Sequence, residues 1–216
     1  QGAFIGDLIV VLYFLTIPSL AIIIGGSSSG SPYGTIGSSR EMKLIISYEL
    51  PLILSLVTVL VRSELWTFRL GEIVSYQQTH GVMAFHLSGA LALIVSILCI
   101  QAKLGLVPFD IPEAETELMG GPFTEYSGAP LAVFYLMRAM LLAVLPMFLI
   151  TVFLGGIDLT FPGVIISIIK YVVLLVVIVL IRNTNPRLRI DHAMKFFWYI
   201  LTPVSLLALL LAFAGY

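Results

Sequence analysis

The sequence is short of cysteine, of charge and of any basic surplus. Cys99 is the single cysteine in 216 residues, which excludes an intrachain disulfide and a cysteine-ligated cluster within the chain. Charged residues make up 11% of the chain, against about 25% in ordinary soluble domains. With 11 Lys and Arg against 12 Asp and Glu, the formal net charge is −1. That provides no field for phosphates and excludes nucleic-acid binding of the basic-patch kind. His80 and His86 are expected near one side of a membrane and His192 near the other, most of a bilayer apart. They cannot share a haem or a metal ion, so no metal or catalytic centre is expected in this chain. No Gly-rich phosphate loop follows a strand, and no internal repeat of the transporter kind is visible.

What is present in excess is apolar sequence. Hydrophobic residues reach 59%, more than one soluble core can absorb. They fall into six blocks, Phe4–Ile24, Leu44–Val61, Val82–Ala102, Ala129–Leu154, Phe161–Ile181 and Phe196–Phe213. Each approaches the roughly 20 residues a helix needs to cross a bilayer. The blocks are continuous rather than alternating, which favours helices over a barrel. The expected fold is an all-α integral membrane bundle of six transmembrane helices, a single polytopic domain over residues 1–216. Loops are expected at about 25–43, 101–128 and 182–195 on one side. These carry Arg40, Lys43, Lys103, Arg182, Arg187, Arg189 and Lys195, whereas the opposite loops carry only Arg62 and Arg69. Cytoplasmic loops are the ones enriched in Lys and Arg, so this side is expected to face the cytoplasm. Gly25–Gly37, rich in Gly and Ser, reads as a flexible connector.

Acids crowd one of these loops. Asp110, Glu113, Glu115 and Glu117 lie within Val107–Leu118, and Glu125 follows. Asp110 can cap a helix with Pro112 in its first turn, which would put Glu113 and Glu117 on one face. The plain outcome is a capped, solvated acidic turn; the sharper one is a carboxylate cluster that holds and passes protons. Within the apolar blocks, Glu49, Arg138 and Lys170 are lone charges. Lys or Arg deep in a bilayer costs at least about 2.5–3.5 kcal/mol, so such residues usually face protein or water. They are candidates for an inward ion or proton path, with snorkelling as the alternative. Asp7, near the outer boundary, reads as interfacial.

The run Pro108–Gly128 resembles the signature loop of the heel subunit (NuoH-type) of respiratory complex I. Arg40–Pro51 looks like the segment with which that family enters a membrane helix, and Asn185–Asp191 looks like its last cytoplasmic loop. The variant Gly121-Pro122-Phe123-Thr124-Glu125-Tyr126-Ser127-Gly128 is closer to the membrane-bound, energy-conserving nickel–iron hydrogenases, formate hydrogenlyase and their sulfur-reducing relatives. The family fold has eight membrane helices, and the six visible here correspond to its C-terminal six, the missing pair being expected before Gln1. The Val82–Ala102 helix lacks the carboxylate that a complete glutamate path would need.

The resemblance implies a non-catalytic subunit that docks a peripheral redox arm onto an ion-pumping membrane arm and couples electron transfer to proton or sodium translocation. Docking would fall to Arg40, Lys43, Arg187, Arg189 and Asp191. Coupling would fall to Glu49, Asp110, Glu113, Glu115, Glu117, Glu125, Arg138 and Lys170. Implied partners are hydrogenase-like large and small subunits, an iron–sulfur subunit and antiporter-like membrane subunits, in a prokaryotic cell membrane. Iron–sulfur clusters and a nickel–iron site are expected in those partners, and no cofactor in this chain. The alternatives are a quinone-binding heel subunit of an NADH:quinone oxidoreductase and a stand-alone ion channel or transporter.

Overall fold

In the computed structural model, residues 6–63, 67–158 and 160–215 are described, with Thr116 described in its backbone only. The expected start of the first apolar block, Phe4 and Ile5, lies outside them. Seven helices carry the fold: α1 (Asp7–Ser28), α2 (Pro32–Arg62), α3 (Leu70–His80), α4 (Leu87–Lys103), α5 (Ala129–Phe153), α6 (Gly163–Thr184) and α7 (Ile190–Phe213). No strand occurs among the described residues. Helices α1, α2, α5, α6 and α7 are long and apolar enough to cross a membrane, while α4 has 17 residues and follows a 3₁₀ turn at Met83–Phe85. The six apolar blocks thus become six apolar helices.

Helix α2 is the centre of the bundle. It packs against α1, α4 and α7, and 67% of its most apolar window is buried, against 17% for α6. Leu44, Tyr48, Leu52 and Leu56 recur every fourth position along its buried face, the spacing of one helical stripe. They share one buried core with Ala92, Val95 and Cys99 of α4 and Phe197, Leu201 and Ala208 of α7. Small residues let α2 and α4 approach closely, and the Ser55 and Ser96 hydroxyls hydrogen-bond across them at 2.7 Å. Pro18, Pro51 and Pro146 lie inside helices. Pro203, which lacks an N–H to donate, follows a π-helical stretch at Phe196–Leu201 that widens α7.

Two expectations change. The Gly25–Gly37 stretch is not a flexible connector: α1 runs to Ser28 and α2 begins at Pro32, leaving a turn of three residues. Gly25, Gly26, Gly34 and Gly37 serve close packing. A Cβ on Gly37 would stand 2.6 Å from Pro122 Cδ and 2.9 Å from the Pro112 carbonyl, so the distant loop Leu104–Gly128 presses directly on α2. In addition, α3 is a helix outside the six apolar blocks. Buried Gln77 anchors it, donating to the Val152 carbonyl at 2.8 Å and accepting from the Gly155 amide at 2.9 Å.

Candidate functional site

The three motif segments meet at one end of the bundle. The loop after α4 is held from two sides. The Leu188 amide donates to the Pro108 carbonyl at 3.0 Å, and Gln101 donates to the Val107 carbonyl at 2.8 Å. Phe109, 1% exposed, packs its ring 4.9 Å from that of Phe197, which plugs the loop into the start of α7. On the other flank the Tyr126 hydroxyl donates to the Gly25 carbonyl at 2.7 Å. Gly121 has φ +52°, and a Cβ there would fall 2.1 Å from the Pro112 carbonyl oxygen, so a side chain at this crossing would force the loop open.

The local geometry of the acidic stretch departs from the sequence reading. Asp110 does not cap a helix, because residues 110–114 form turns and the helical turn is Glu115–Leu118 with Ala114 at its N-cap. Glu113 therefore lies before the helical turn, and it does not share a face with Glu117. Glu113 pairs inward with Arg138 of α5, whose guanidinium carbon lies 4.8 Å above the Phe123 ring. Glu117 pairs outward with Arg40 of α2 at 2.7 Å, and the same guanidinium nitrogen donates to the Ile111 carbonyl at 3.4 Å. Asp110 Oδ2 pairs with Arg187 at 3.0 Å, while its Oδ1 is buried without a hydrogen-bond partner. Burial, then the neighbouring Glu113 charge, push the Asp110 carboxyl up from an ordinary 3.8 to about 6, with Arg187 and Arg138 pulling the other way.

Two cavities and a cleft follow these pairs. An open cleft of about 400 Å³ is lined by Arg40, Asp110, Glu117, Arg187, Arg189 and Asp191, so all three motif segments contribute to it. Beneath the loop, an inner cavity with room for about one water (about 10 Å³) is bounded by Ser19, Glu41, Lys103, Asp110, Glu113 and Arg138. A third, of about 290 Å³, lies between α1 and α2, with Glu49, Lys103 and Thr16 among apolar walls such as Leu12 and Ile53.

The expected residues are therefore distributed unevenly. Arg40, Asp110, Glu113, Glu117, Arg138 and Arg187 are joined in three ion pairs, and Glu49 lines the neighbouring cavity. Arg189 and Asp191 make an exposed contact of 3.8 Å at the cleft rim. Lys43, Glu115 and Glu125 are exposed. Lys170 is elsewhere: its ammonium donates to the Leu154 carbonyl at 2.6 Å, at the C-terminus of α5. That point is the length of α5, roughly 37 Å, from the loop end of the same helix. A cation there completes an unsatisfied helix terminus.

Two further charges are buried at this site. Glu41 and Lys103 are each 4% exposed and line the inner cavity, where their positions in the sequence suggest charges at a membrane boundary. The available signal is that Lys103 ends an apolar helix immediately before the acidic loop, and that Glu41 precedes Glu49 by eight residues in one motif.

Comparison with known proteins gives a consistent placement. Residues 3–213 match the family model described as NADH dehydrogenase. The H-type subunit of the NADH-quinone oxidoreductase of Thermomicrobium roseum is 38% identical over 210 residues, covering 92% of this chain and 61% of that protein. Its counterpart in Syntrophotalea carbinolica is 38% identical over 208 residues, covering 94% and 62%. The chain thus spans about three-fifths of the length of these curated relatives. A chain in the solved structure of a membrane-bound sulfane sulfur reductase, described as an archaeal respiratory membrane complex, superposes with a TM-score of 0.88. It is 33% identical, with 95% of this chain and 68% of that one covered. This multi-pass membrane chain belongs to the NADH dehydrogenase family, alongside the H-type subunits of NADH-quinone oxidoreductases.

Proposed function

We propose that the chain is the coupling subunit of a hydrogenase-like respiratory complex, docking a peripheral redox arm onto an ion-pumping membrane arm. The observation that carries this reading is the convergence of the three motif segments into one ion-paired cleft that continues inward to buried charge. Arg40, Arg187, Arg189, Asp191 and Glu117 present both signs of charge to a partner, which sets register and orientation more than raw affinity. Lys43, Glu115 and Glu125 extend that polar surface. Behind it, Asp110, Glu113 and Arg138 respond to the partner's chemistry. A change of charge in an adjacent iron–sulfur subunit alters the balance of the Asp110–Arg187 and Glu113–Arg138 pairs, because charges interact strongly where water is scarce. Glu49 lies next along the inward path, towards antiporter-like membrane subunits. In this reading Lys170 serves the α5 terminus, where its ammonium donates to the Leu154 carbonyl. The motif face is cytoplasmic in this reading, and the translocated ion is a proton or sodium.

The test is the triple variant Glu113→Gln, Glu115→Gln and Glu117→Gln, purified as the assembled complex in proteoliposomes. Electron transfer from dithionite-reduced methyl viologen is expected to continue with loss of ion pumping. Full pumping per electron in that variant overturns the reading.

The second reading is a quinone-reducing heel subunit, favoured by the names of the relatives, which are NADH-quinone oxidoreductases. Mass spectrometry of the intact complex separates the two. A nickel–iron large subunit supports the first, and a flavoprotein NADH module the second.

A further inference from the structure

Lys103 occupies a position that docking and loop pairing leave unused. It ends α4, is 4% exposed, and borders both the inner cavity beneath the acidic loop and the larger cavity between α1 and α2. Glu41 stands in the first cavity and Glu49 in the second. Both carboxylates act on Lys103 electrostatically. Eight residues of helix, about 12 Å, separate them. Among the described residues no carboxylate closes to ion-pair distance on Lys103. Its ammonium lies instead 5.6 Å from the centroid of the Tyr48 ring, on the same helix as both acids. A buried ammonium without a fixed carboxylate is costly, and an aromatic face is a partial substitute for one. Arg138, the other cation of the inner cavity, is already committed to Glu113.

We propose that Lys103 is the moving cation of this subunit, its ammonium passing across the Tyr48 face between Glu41 and Glu49 and so carrying a charge change from the loop cavity to the membrane cavity. This rests on the coupling reading above and specifies its internal step. Lysine suits the task because its charge is a compact point on a flexible four-carbon stem, whereas a guanidinium holds a fixed planar fork. At the Glu41 end the ammonium stands in the inner cavity, beneath the loop. At the Glu49 end it stands in the larger cavity between α1 and α2, so its positive charge moves from the loop side to the membrane side. The two positions form a two-state element biased by the charge of the Glu113–Arg138 pair. No covalent bond is made or broken in this step; what moves is one positive charge.

The experiment uses the assembled complex. In proteoliposomes driven by dithionite-reduced methyl viologen, Lys103→Met is expected to keep electron transfer and lose ion pumping. Structures of the wild-type complex poised oxidised and reduced are expected to show the Lys103 Nζ nearer Glu41 in one state and nearer Glu49 in the other. Wild-type pumping by Lys103→Met overturns the proposal, as does an Nζ fixed in one place in both redox states. If Lys103→Met does not assemble, the wild-type pair of structures decides alone. Should the loop triple variant uncouple while Lys103→Met pumps normally, only the lysine step falls. Should both variants pump normally, the coupling reading falls with it.

Discussion

The two ends of the bundle handle polar groups in opposite ways. At the far end, Lys170 and Gln77 are closed by backbone groups: the ammonium caps the Leu154 carbonyl, and the Gln77 amide spans Val152 and Gly155. Those partners cannot titrate or change sign, so these contacts hold geometry. At the loop end, charge meets charge across Arg40–Glu117, Asp110–Arg187 and Glu113–Arg138, beside a cavity that holds Glu41 and Lys103. Each of those pairs loses its balance if one member gains a proton. The two ends thus differ in the partners they give to charge: a backbone carbonyl for Lys170, and a charge of opposite sign for Arg40, Asp110 and Arg138.

The sharpest way to break the contrast is Arg138→Met. Removing the cation leaves Glu113 facing the inner cavity unpaired. A fully buried pair broken in this way costs about 3–5 kcal/mol, and partial exposure of both side chains brings the expectation to about 2–4 kcal/mol. Thermal unfolding of the purified complex should show it, and adding Glu113→Gln should recover part of the loss. An additive double variant would mean that the two residues do not interact.

Next comes Gly37→Val. Its branched side chain would enter space held by Pro122 and the Pro112 carbonyl. Overpacking of this kind costs about 1–3 kcal/mol. Limited proteolysis should then cut Leu104–Gly128 faster, while the far end stays protected. Equal cutting at both ends would show that the loop is not held by this contact.

At the opposite end, Lys170→Met and Gln77→Leu should destabilise without uncoupling. Loss of a cation at a helix C-terminus is worth about 0.3–1 kcal/mol, and stranding the buried partners of Gln77 about 1–3 kcal/mol. Both variants should pump normally once assembled. Lost pumping in Lys170→Met would return this residue to the ion path and erase the contrast between the ends.

The sequence discloses most where one signal dominates. Runs of apolar residues long enough to span a bilayer place the long helices almost unaided, because no soluble alternative can hide them. Ion partners are a different matter. Nothing local to Arg138 names Glu113, which lies 25 positions earlier, and nothing local to Arg187 names Asp110. The glycines at 25–37 suggest mobility because composition reports freedom of the chain, while the contacts that use Gly26 and Gly37 come from Pro122, far along the sequence. Glu41 and Lys103 look like boundary charges for a similar reason. How deep a helix end lies is set by the loop that folds over it, and the loop's path is invisible until Phe109 is seen plugged against Phe197. Helix α3 escapes notice because it is neither long nor strongly apolar, and it is buried at Ile73 and Gln77 alone among its residues.

The smallest expected effect concerns one proton. Asp110 titrates near 6 in the folded chain against an ordinary 3.8, so between those values the folded state keeps a proton that the unfolded state has lost. Stability from this group is then fully present below about 3.8 and is lost as pH rises through about 6. Asp110→Asn removes the titration while keeping the shape. The difference in melting temperature between wild type and Asp110→Asn should shift against the wild type as pH rises from about 4 to about 7, then level off. The size is modest because a single carboxyl is involved and Arg187, 40% exposed, shares its charge with solvent. A difference that stays flat across that range would mean that Asp110 is ionised throughout. The loop end would then hold its charges as rigidly as the far end holds Lys170.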